Sequence, residues 1–386
     1  MPAEIAGAGS KRGIGRPMQH PAVIDVTGIN GITLYEPTEL VMSARAGTSL
    51  AQIETTLAER GQMLPFEPME LGPASGGAGG VQTIGAVFAT NVSGPRRISN
   101  GAARDHLLGV RAVNGRAEIF KSGGRVLKNV TGYDVARGLT GSWGTLAVLT
   151  EVTFKVLPAP KETGTLVYAG LSDEIGAELL CAAMGTPFEV SGTAHLTAGL
   201  TSRLELKSLA REASTLTAVR IENFASSVAY RSERLKDALK IYGTPVQLGR
   251  DASVSFWSEL RRLTVLTPVK GDAPSHMWRI STAPRRASKV IDSVRRNMKA
   301  EAYYDASSGI VWLEVTASAD AGAADIRRIL SSHGGHATLI RAEPDVRSAI
   351  EVFQPMSAVV ERLSRGIKES FDPAGILNPG RMYAAF

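Results

Sequence analysis

Short apolar runs separated by glycine and polar turns dominate the first third of the chain, and this pattern predicts several strands and few helices. The strands are predicted over 22–26, 40–45 and 146–156. One helix is predicted over 49–60, after the second of these strands, where leucine and isoleucine recur at helical spacing on one face. Ser49 suits its N-cap and Gly61 its left-handed C-cap, so this helix has both ends marked.

Glycine, proline and asparagine mark the turns of this first third. Asn114-Gly115 separates two apolar runs and predicts a tight β-hairpin. The Pro/Gly-rich stretch 67–80 fits no regular element and is predicted to be a loop. Pro158 and Pro160 disfavour both an α-helix and the hydrogen-bonded pairing of a β-strand, so they are predicted to mark the first domain boundary.

Beyond residue 160, apolar runs of strand length alternate with amphipathic helical patterns, which predicts a small sheet covered by helices on one face. The strands are predicted over 165–169, 217–222, 277–281 and 311–316, and the helices over 173–184, 225–241, 286–298 and 356–371. The chain is therefore predicted to be α+β, with a first domain over 1–158, a second over 159–340, and a C-terminal segment over 341–386 that packs back on the first.

Length and composition narrow the class of protein. The chain has 386 residues, is 44% hydrophobic and 21% charged, and has room for two ordinary domains. Cys181 is its single cysteine, which excludes an intrachain disulfide, an iron–sulfur cluster and a cysteine-based zinc site. No uncharged apolar run approaches the ~18 residues of a membrane span, so the sequence predicts a cytoplasmic protein.

The net charge of +6 is concentrated in one stretch. Residues 91–137 contain nine basic and three acidic side chains, which accounts for the whole excess. Only Phe120 and Tyr133 are aromatic in this stretch, too few to form a stacking platform, so a phosphate-bearing cofactor fits better than nucleic acid. A solvated basic face explains the charge equally well at this point.

Two glycine-rich loops are candidates for binding phosphate. Gly7 to Gly13 differs from a dinucleotide fingerprint because its third glycine is one residue late, but its backbone amides, with Lys11 and Arg12, form a nest suited to phosphate. The second loop, 76–80, leads into a short helix predicted near Thr83, whose free N–H groups would face an anion. The alternative is that both are flexible surface loops.

The order of motifs resembles that of FAD-linked 2-hydroxy-acid dehydrogenases of the vanillyl-alcohol-oxidase type, and within them the smaller flavin-binding subunits of bacterial glycolate oxidases. The resemblance runs nearly end to end and is carried by Thr83-Ile84-Gly85, 91–94, 101–105, 128–134, 141–146 and Leu377 to Tyr383. It implies a PCMH-type FAD-binding fold of two subdomains, followed by an α+β cap domain and the returning C-terminal segment.

The resemblance also implies the FAD-binding residues. The first phosphate loop would be Gly7, Gly9, Ser10 and Lys11. The pyrophosphate and the edge of the ring would be lined by Thr83, Gly85, Asn91, Ser93, Gly94, Gly101, Arg104 and Asp105. The remaining cofactor wall would comprise Gly141, Ser142, Gly144 and Leu146, with Arg381 and Tyr383 returning from the C-terminal segment. A bulky residue at Gly85 or Ser142 is expected to reduce cofactor occupancy more than folding.

One feature selects among members of the family, and three others depart from its pattern. Covalent members place a histidine in the first loop, and Gly7 to Gly13 contains none, so non-covalent FAD is expected. The chain begins almost at the first expected strand, and Ala86 stands where relatives often have a second glycine. The histidine pair that binds a metal in catalytic relatives is not found, so no metal site is predicted.

Oxidation of a 2-hydroxy acid needs a cation for the carboxylate and a base for the hydroxyl proton. Arg279 on a predicted strand is the candidate cation, and His336 is the candidate base. The alternatives are that Arg279 is a surface charge at the edge of the sheet and that His336 has only a structural role in a turn. Three functions remain open at this point: an enzyme subunit oxidising a small 2-hydroxy acid, a non-catalytic flavin or scaffold subunit supporting a catalytic paralogue, and a stand-alone oxidase.

A reduced flavin must pass its electrons to another redox centre, and this requirement bears on the partners of the chain. The chain has no haem-attachment motif and no nicotinamide fingerprint, so it carries no second redox centre of its own. The resemblance implies a complex with a larger FAD-binding glycolate oxidase subunit and an iron–sulfur subunit. Any association with the inner membrane is expected to come through these partners, and nucleic-acid binding is not expected.

Overall fold

The architecture is taken from a computed structural model that describes residues 1–18, 20, 22–77, 81–126, 132–210, 214–269, 271 and 273–386. Two pieces of the predicted motifs, 78–80 and 128–131, lie outside the described residues.

The first part of the chain contains three sheets. Strands β1 and β2 pair in parallel, and a five-stranded antiparallel sheet has the order β3-β4-β8-β6-β7. A two-stranded pair, β5 and β9, closes this part. The strands are β1 (Ala3–Ala6), β2 (Ala22–Asp25), β3 (Ile32–Glu36), β4 (Val41–Arg45), β5 (Gln62–Met63), β6 (Leu107–Asn114), β7 (Ile119–Gly123), β8 (Ala147–Lys155) and β9 (Leu157–Pro158). The helices are α1 (Leu50–Ala58), α2 (Leu71–Ala74), α3 (Ile84–Thr90), α4 (Arg97–Asn100), α5 (Ala103–His106) and α6 (Val135–Leu139).

Local signals in the sequence place several of these elements where they were predicted. Ser49 caps α1 by accepting a hydrogen bond from the Gln52 N–H, and Gly61 adopts a φ of +63° just beyond it. The apolar face of α1 is buried against the five-stranded sheet. Strands β6 and β7 form the antiparallel hairpin predicted at Asn114-Gly115. These predictions are confirmed because each depends on contacts between near neighbours.

The second part is larger than predicted. It contains an eight-stranded antiparallel sheet of order β13-β10-β12-β11-β15-β16-β14-β17 rather than a small sheet. Its strands are β10 (Glu162–Ala169), β11 (Val190–Leu196), β12 (Leu216–Asn223), β13 (Val246–Leu248), β14 (Ser275–Ser281), β15 (Ala300–Asp305), β16 (Ile310–Thr316) and β17 (His336–Arg341). Its helices are α7 (Asp173–Met184), α8 (Ala198–Thr201), α9 (Lys207–Ala210), α10 (Ala225–Ala238), α11 (Arg250–Arg262), α12 (Ala287–Arg295) and α13 (Ala323–His333).

Side chains from both faces of the eight-stranded sheet are buried, whereas the sequence predicted helices on one face only. One apolar core lies between the sheet and helices α7 and α10, and another lies between it and helices α12 and α13. A third core joins the sheet to α11 and includes Ile14 and Met69 from the first part of the chain. The two parts are therefore packed together through apolar side chains. The boundaries at residues 158 and 340 stay predictions.

Four buried charges also join the two parts, and we call them the interface ion network. The Arg220 guanidinium binds both carboxylate oxygens of Glu67, at 3.1 and 3.0 Å. Arg96 binds both carboxylate oxygens of Glu222, at 2.7 and 2.9 Å, and lies 3.3 Å from Glu67. Arg220 also stacks over the Trp257 ring at 4.4 Å. Each part supplies one acid and one arginine, and the two bidentate pairs both cross from one part to the other.

The C-terminal segment returns to the first part through helices α14 (Pro344–Ala349) and α15 (Ala358–Phe371). Ala3 forms a parallel bridge with Leu377, and the Ala3 N–H donates to Ile376 O at 2.9 Å. The Lys368 ammonium on α15 donates to Thr145 O and Leu377 O. None of the helices described here is both long and apolar enough to cross a membrane.

Candidate functional site

Two cavities lie side by side between the first part, the eight-stranded sheet and the C-terminal segment. The first has a volume of about 740 Å³ and the second about 1420 Å³. Thr90 and Trp143 line both, so the cavities meet at these two residues. An elongated ligand could therefore occupy the first cavity and extend into the second.

The loop after β1 forms one wall of the first cavity and leaves its backbone amides free. Within the described part of the chain, none of the N–H groups of residues 7–11 donates a hydrogen bond. Gly7 lies so close to Thr83 that a Cβ at residue 7 would stand 2.6 Å from the Thr83 hydroxyl oxygen. Gly9 has a φ of +80°. Successive free amides on such a backbone suit an anion such as a phosphate.

Two buried cations face the same cavity. The Lys11 ammonium donates to Gln82 Oε1 at 2.9 Å, and the Arg381 guanidinium donates to Lys11 O at 2.7 Å. No carboxylate among the described residues forms an ion pair with either cation. Desolvation lowers the pKa of Lys11 to about 7 and that of Arg381 to about 10. Glu70 raises the pKa of Lys11 and Glu4 that of Arg381, but neither outweighs desolvation, so an anion in the cavity would supply the direct partner that both cations lack among the described residues.

The Thr83 hydroxyl completes the polar wall of this cavity. It is buried and has no hydrogen-bond partner among the residues that the structure describes. Free loop amides, two cations without an ion-pair partner among the described residues, and this hydroxyl are the donor groups that a diphosphate needs. The residues of the first cavity therefore fit the diphosphate of FAD, the cofactor that the sequence resemblance implies.

Asn378 holds two walls of the first cavity together, and sequence reasoning did not select it as a site residue. Its side-chain oxygen accepts from the Ile5 N–H at 2.7 Å, and its side-chain amide donates to Trp143 O at 2.7 Å. Gly144 has a φ of +72°, and a Cβ there would stand 2.8 Å from the Asn378 amide nitrogen. The signal was available, since Asn378 belongs to the Leu377 to Tyr383 motif that carried the resemblance.

The predicted anion site at the start of α3 is not formed. The helix begins where expected, with Thr83 as its N-cap residue. However, the Ile84 N–H donates to Thr48 O and the Gly85 N–H donates to Ala46 O, both at 2.9 Å. These bonds fix α3 against the segment before α1, so two N–H groups expected to face a ligand are already used.

Gly7 and Gly85 are expected to respond differently to an added side chain. At Gly85 a Cβ would stand 2.8 Å from the Ala46 carbonyl oxygen, so G85A should lower the free energy of unfolding by about 1–3 kcal/mol. At Gly7 the obstacle is a threonine hydroxyl that can rotate, so G7A should weaken FAD binding with a smaller loss of stability. This reverses the sequence-based expectation for Gly85, whose missing side chain faces backbone and not the ligand.

Thermal melts of the FAD-free proteins and FAD titrations followed by fluorescence test this pair of substitutions. Ala86 next to Gly85 also lines the cavity, so A86G is the matched control for changes in helix propensity. Equal losses of stability in G7A and G85A would contradict the assignment.

The second cavity brings the two predicted catalytic residues together. Arg279 on β14 and His336 on β17 both line it, and Ser281 is the register partner of His336 across these strands. The Arg279 guanidinium lies 5.7 Å over the Trp312 ring and forms no ion pair or hydrogen bond with a described residue. Its pKa is lowered to about 10 by desolvation and then by Arg97. The buried Asp305 carboxylate raises the pKa of Arg279 only in part and does not contact it, so the guanidinium keeps its N–H donors free for a carboxylate.

Other polar groups of the second cavity were not foreseen. Arg97 on α4 lines it from the opposite side, and the buried Trp312 indole N–H has no acceptor among the described residues. Desolvation, together with Arg279 and Arg97, lowers the pKa of His336, which favours the neutral imidazole that a base must be. Arg97 stands in the basic stretch, but no pattern distinguished it from its exposed neighbours.

The predicted cofactor residues fall into three groups. The first cavity is lined by Gly7, Gly9, Ser10, Lys11, Thr83, Gly85, Gly144 and Arg381, and the second by Asn91, Ser93 and Gly141. The remaining seven line neither cavity: Gly94, Gly101, Arg104, Asp105, Ser142, Leu146 and Tyr383. All of these assignments to FAD stay predictions.

Residues outside the cavities have structural contacts that explain their place. The Asp105 carboxylate accepts from the Ala102 N–H at 2.8 Å, at the start of α5, and Arg104 is exposed. A Cβ at Gly94 would stand 2.3 Å from Glu67 O, so this glycine permits a close approach of two backbones. Tyr383 donates its hydroxyl to Gln354 O at 3.1 Å. These residues line neither cavity, and their contacts are structural.

The lowered pKa of Lys11 gives FAD binding a pH dependence. Between pH 7 and about 10 the unfolded chain holds the Lys11 proton and the folded FAD-free protein does not, so stability without FAD rises with pH in this window. A bound diphosphate raises the pKa of Lys11 again, so binding takes up a proton above pH 7. The dissociation constant of FAD is therefore expected to rise about tenfold from pH 7 to pH 8.5.

Calorimetric titrations in buffers of different ionisation enthalpy measure this proton uptake directly. K11R keeps a charge whose pKa is far above this range and should give a flatter pH profile. The same steep profile in K11R and in the unmodified protein would show that another group titrates.

Comparison with known proteins was made on the sequence and on the structure. The model of a family described as "FAD binding domain" matches residues 1–123. The glycolate oxidase subunit GlcE of Escherichia coli (strain K12) is 34% identical over 383 residues, which is 99% of this chain and 93% of that protein. The glycolate oxidase subunit GlcD of Bacillus subtilis (strain 168) is 28% identical over 36% of this chain and 28% of its own length.

Among solved structures, p-cresol methylhydroxylase with substrate bound superposes with a TM-score of 0.73 over 98% of this chain and 84% of that chain, at 13% identity. This likeness confirms the predicted α+β fold of PCMH type. The family match over residues 1–123 confirms the predicted cofactor, FAD.

Proposed function

The chain belongs to the family of FAD-linked oxidoreductases that includes the glycolate oxidase subunit GlcE, and on this premise we propose that it is the FAD-binding subunit of a glycolate oxidase that oxidises glycolate to glyoxylate. The observation that carries the proposal is the Arg279 guanidinium, which forms no ion pair or hydrogen bond with a described residue and lines a cavity adjoining the one that fits the FAD diphosphate.

The residues of the second cavity have distinct tasks in this proposal. Arg279 binds the substrate carboxylate through its planar fork of N–H donors. His336, neutral because its pKa is lowered, accepts the proton of the substrate hydroxyl. When bound, FAD supplies the acceptor for the hydride that leaves the substrate carbon. In this proposal the buried Trp312 indole N–H, which has no acceptor among the described residues, donates to an oxygen of the substrate.

The electrons must leave the chain, because its single cysteine cannot hold an iron–sulfur cluster. We propose that a larger FAD-binding subunit and an iron–sulfur subunit take them onward in a complex. In support, two of the relatives have names that mark them as subunits of glycolate oxidases. Association with a membrane, in this proposal, occurs through those partners.

Anaerobic stopped-flow mixing of the purified FAD-loaded protein with glycolate tests the proposed reaction. Loss of the visible absorption band of the flavin within the turnover time supports a catalytic subunit. A band that glycolate leaves unchanged, but that dithionite bleaches, would favour a non-catalytic flavin or scaffold subunit. Rapid reoxidation by oxygen without any partner would instead indicate a stand-alone oxidase.

The way in which the flavin is held is tested on the same sample. Because the residues of the first loop include no histidine, we expect acid precipitation to release all FAD into the supernatant. Absorbance of the supernatant and of the redissolved pellet measures the two fractions. Yellow colour that stays with the pellet would contradict non-covalent binding.

A further inference from the structure

Helix α15 presents its apolar face to solvent and its polar face to the protein. The side chains nearest the protein are Glu361, Ser364, Arg365 and Lys368, and Lys368 is the only fully buried residue of the helix. On the opposite face, Val359, Val360, Leu363 and Ile367 are 48–61% exposed. We call these four residues the α15 stripe. An amphipathic helix normally buries its apolar face, so this orientation indicates that something else covers the stripe.

The helix is held in this orientation by specific bonds. The Lys368 ammonium, besides its bonds to Thr145 O and Leu377 O, pairs with Asp372 at 2.5 Å. Arg365 pairs with Glu361 at 3.0 Å and stacks over the Phe386 ring at 5.3 Å. Rotation that buried the α15 stripe would break these contacts and expose a buried lysine. The stripe is therefore a fixed surface of the folded protein.

The arrangement of residues on the stripe is complementary to itself. Gly366 lies within the exposed face, and no atom stands within 4 Å of where its Cβ would be. If a second α15 crosses antiparallel between Arg365 and Gly366, Leu363 of each helix lies within about one residue of Ile367 of the other. The same contact then forms twice, as in an isologous two-fold interface.

The charges beside the stripe follow the same symmetry. Arg362 and Glu369 are exposed, stand seven residues apart and hence lie on one flank of the helix. Neither forms an ion pair with a described residue in the single chain. In the antiparallel pair, Arg362 of one helix lies opposite Glu369 of the other, so two ion pairs of correct sign form. This charge complementarity favours a second copy of the same chain over a partner of different sequence.

The apolar surface continues beyond the helix. Phe371 at the end of α15 packs against Phe120 with ring centroids 6.0 Å apart, and Ile119 beside Phe120 is 80% exposed on the edge strand β7. In the antiparallel pair, Val359 and Val360 of one copy lie toward this end of the other helix. The contact thus extends past the four stripe residues on both sides.

From these observations we propose that α15 is a self-association surface through which two copies of this chain form a two-fold dimer. The proposal does not depend on the reaction in the second cavity. It rests on the direction of the apolar face, the open position at Gly366 and the placement of two opposite charges.

Sedimentation velocity of the FAD-loaded protein from about 1 to about 100 μM tests the proposal. We expect a reversible dimer whose dissociation constant rises at least about tenfold in L363E, because the charge enters the apolar contact twice. V254E places the same charge on an exposed valine of α11 and should leave the dissociation constant unchanged. Flavin content and melting temperature of each variant show that it is folded.

A charge exchange makes the test specific to the proposed geometry. R362E and E369R should each weaken the dimer about fivefold, and the double variant R362E/E369R should restore it because both intermolecular pairs are re-formed with reversed sign. A protein that is monomeric throughout the range, or a dimer that L363E leaves intact, would overturn the proposal. If the chain is monomeric alone and L363E instead abolishes its co-purification with a co-expressed flavin subunit, the surface binds that subunit and the dimer is excluded.

Discussion

Replacing Glu67 by alanine is expected to lower the free energy of unfolding by about 3–5 kcal/mol, because it removes one member of a buried, hydrogen-bonded charge network. Arg220 would lose both oxygens of its main partner while remaining 1% exposed, and Glu222, 3.5 Å away, already binds Arg96. An uncompensated guanidinium would thus be left between the two parts of the protein.

Urea unfolding curves measure the loss at Glu67, with E233A as the matched control. Glu233 pairs with Lys236 at 2.7 Å on the exposed face of α10, so its removal should change the free energy by less than about 0.5 kcal/mol. Losses of equal size in both variants would show that the interface ion network contributes no more than an exposed pair.

The same network predicts how acid affects stability. Burial would raise the pKa of Glu222, but Arg220 and Arg96 outweigh it and hold the pKa at about 2. The pKa of Glu222 in the folded protein is therefore below that of the unfolded chain, so its contribution is complete above about pH 4.5 and is lost as the pH falls toward 2. Arg220 and Arg96 also outweigh burial at Glu67 and lower its pKa, so E67A removes the contribution of Glu67 and should make this acid limb less steep.

Replacing Arg279 by glutamine is expected to slow reduction of the flavin by glycolate about 100-fold, since a charged hydrogen-bonded pair with the substrate carboxylate is lost. The binding of FAD should not change, because the residues that fit the diphosphate all line the other cavity. R279K keeps the charge without the planar fork of donors, so its rate of flavin reduction should lie between those of R279Q and the unmodified protein.

Anaerobic reduction kinetics over a range of glycolate concentrations separate binding from the reaction step at Arg279. R234Q removes an exposed arginine of α10 and serves as the control. Full activity in R279Q would contradict the carboxylate site. In the unmodified protein the rate should be independent of pH near neutrality and fall on acidification through the lowered pKa of His336, and H336N should remove this dependence.

Local patterns in the sequence predicted local structure well. The capped helix α1, the hairpin β6–β7 and the start of α3 each depend on residues within a few positions of one another. The motifs that carried the resemblance also led to the first cavity, because Gly7, Lys11, Thr83 and Arg381 meet there. Fold class and cofactor were accessible for this reason.

Contacts between distant residues account for what the sequence did not reveal. The size of the eight-stranded sheet depends on the pairing of β11 with β15 and of β14 with β17, which no short sequence pattern encodes. The amides at the start of α3 looked free until the structure placed Ala46 and Thr48 against them. Arg97 looked like any other basic residue, and only the packing of α4 against the second cavity sets it apart.

The position of Asn378 has a consequence for the order in which the protein is assembled during synthesis. Ile5 and Trp143 are held by a residue that leaves the ribosome more than two hundred positions after Trp143. The Lys11 loop likewise obtains its Arg381 contact only then. Until that point, the nascent chain exposes a glycine loop and a β1 strand without their final neighbours. We therefore expect the flavin to be bound only once residue 378 has left the ribosome, and a chain truncated before Asn378 to lack the bonds that hold two walls of the first cavity together.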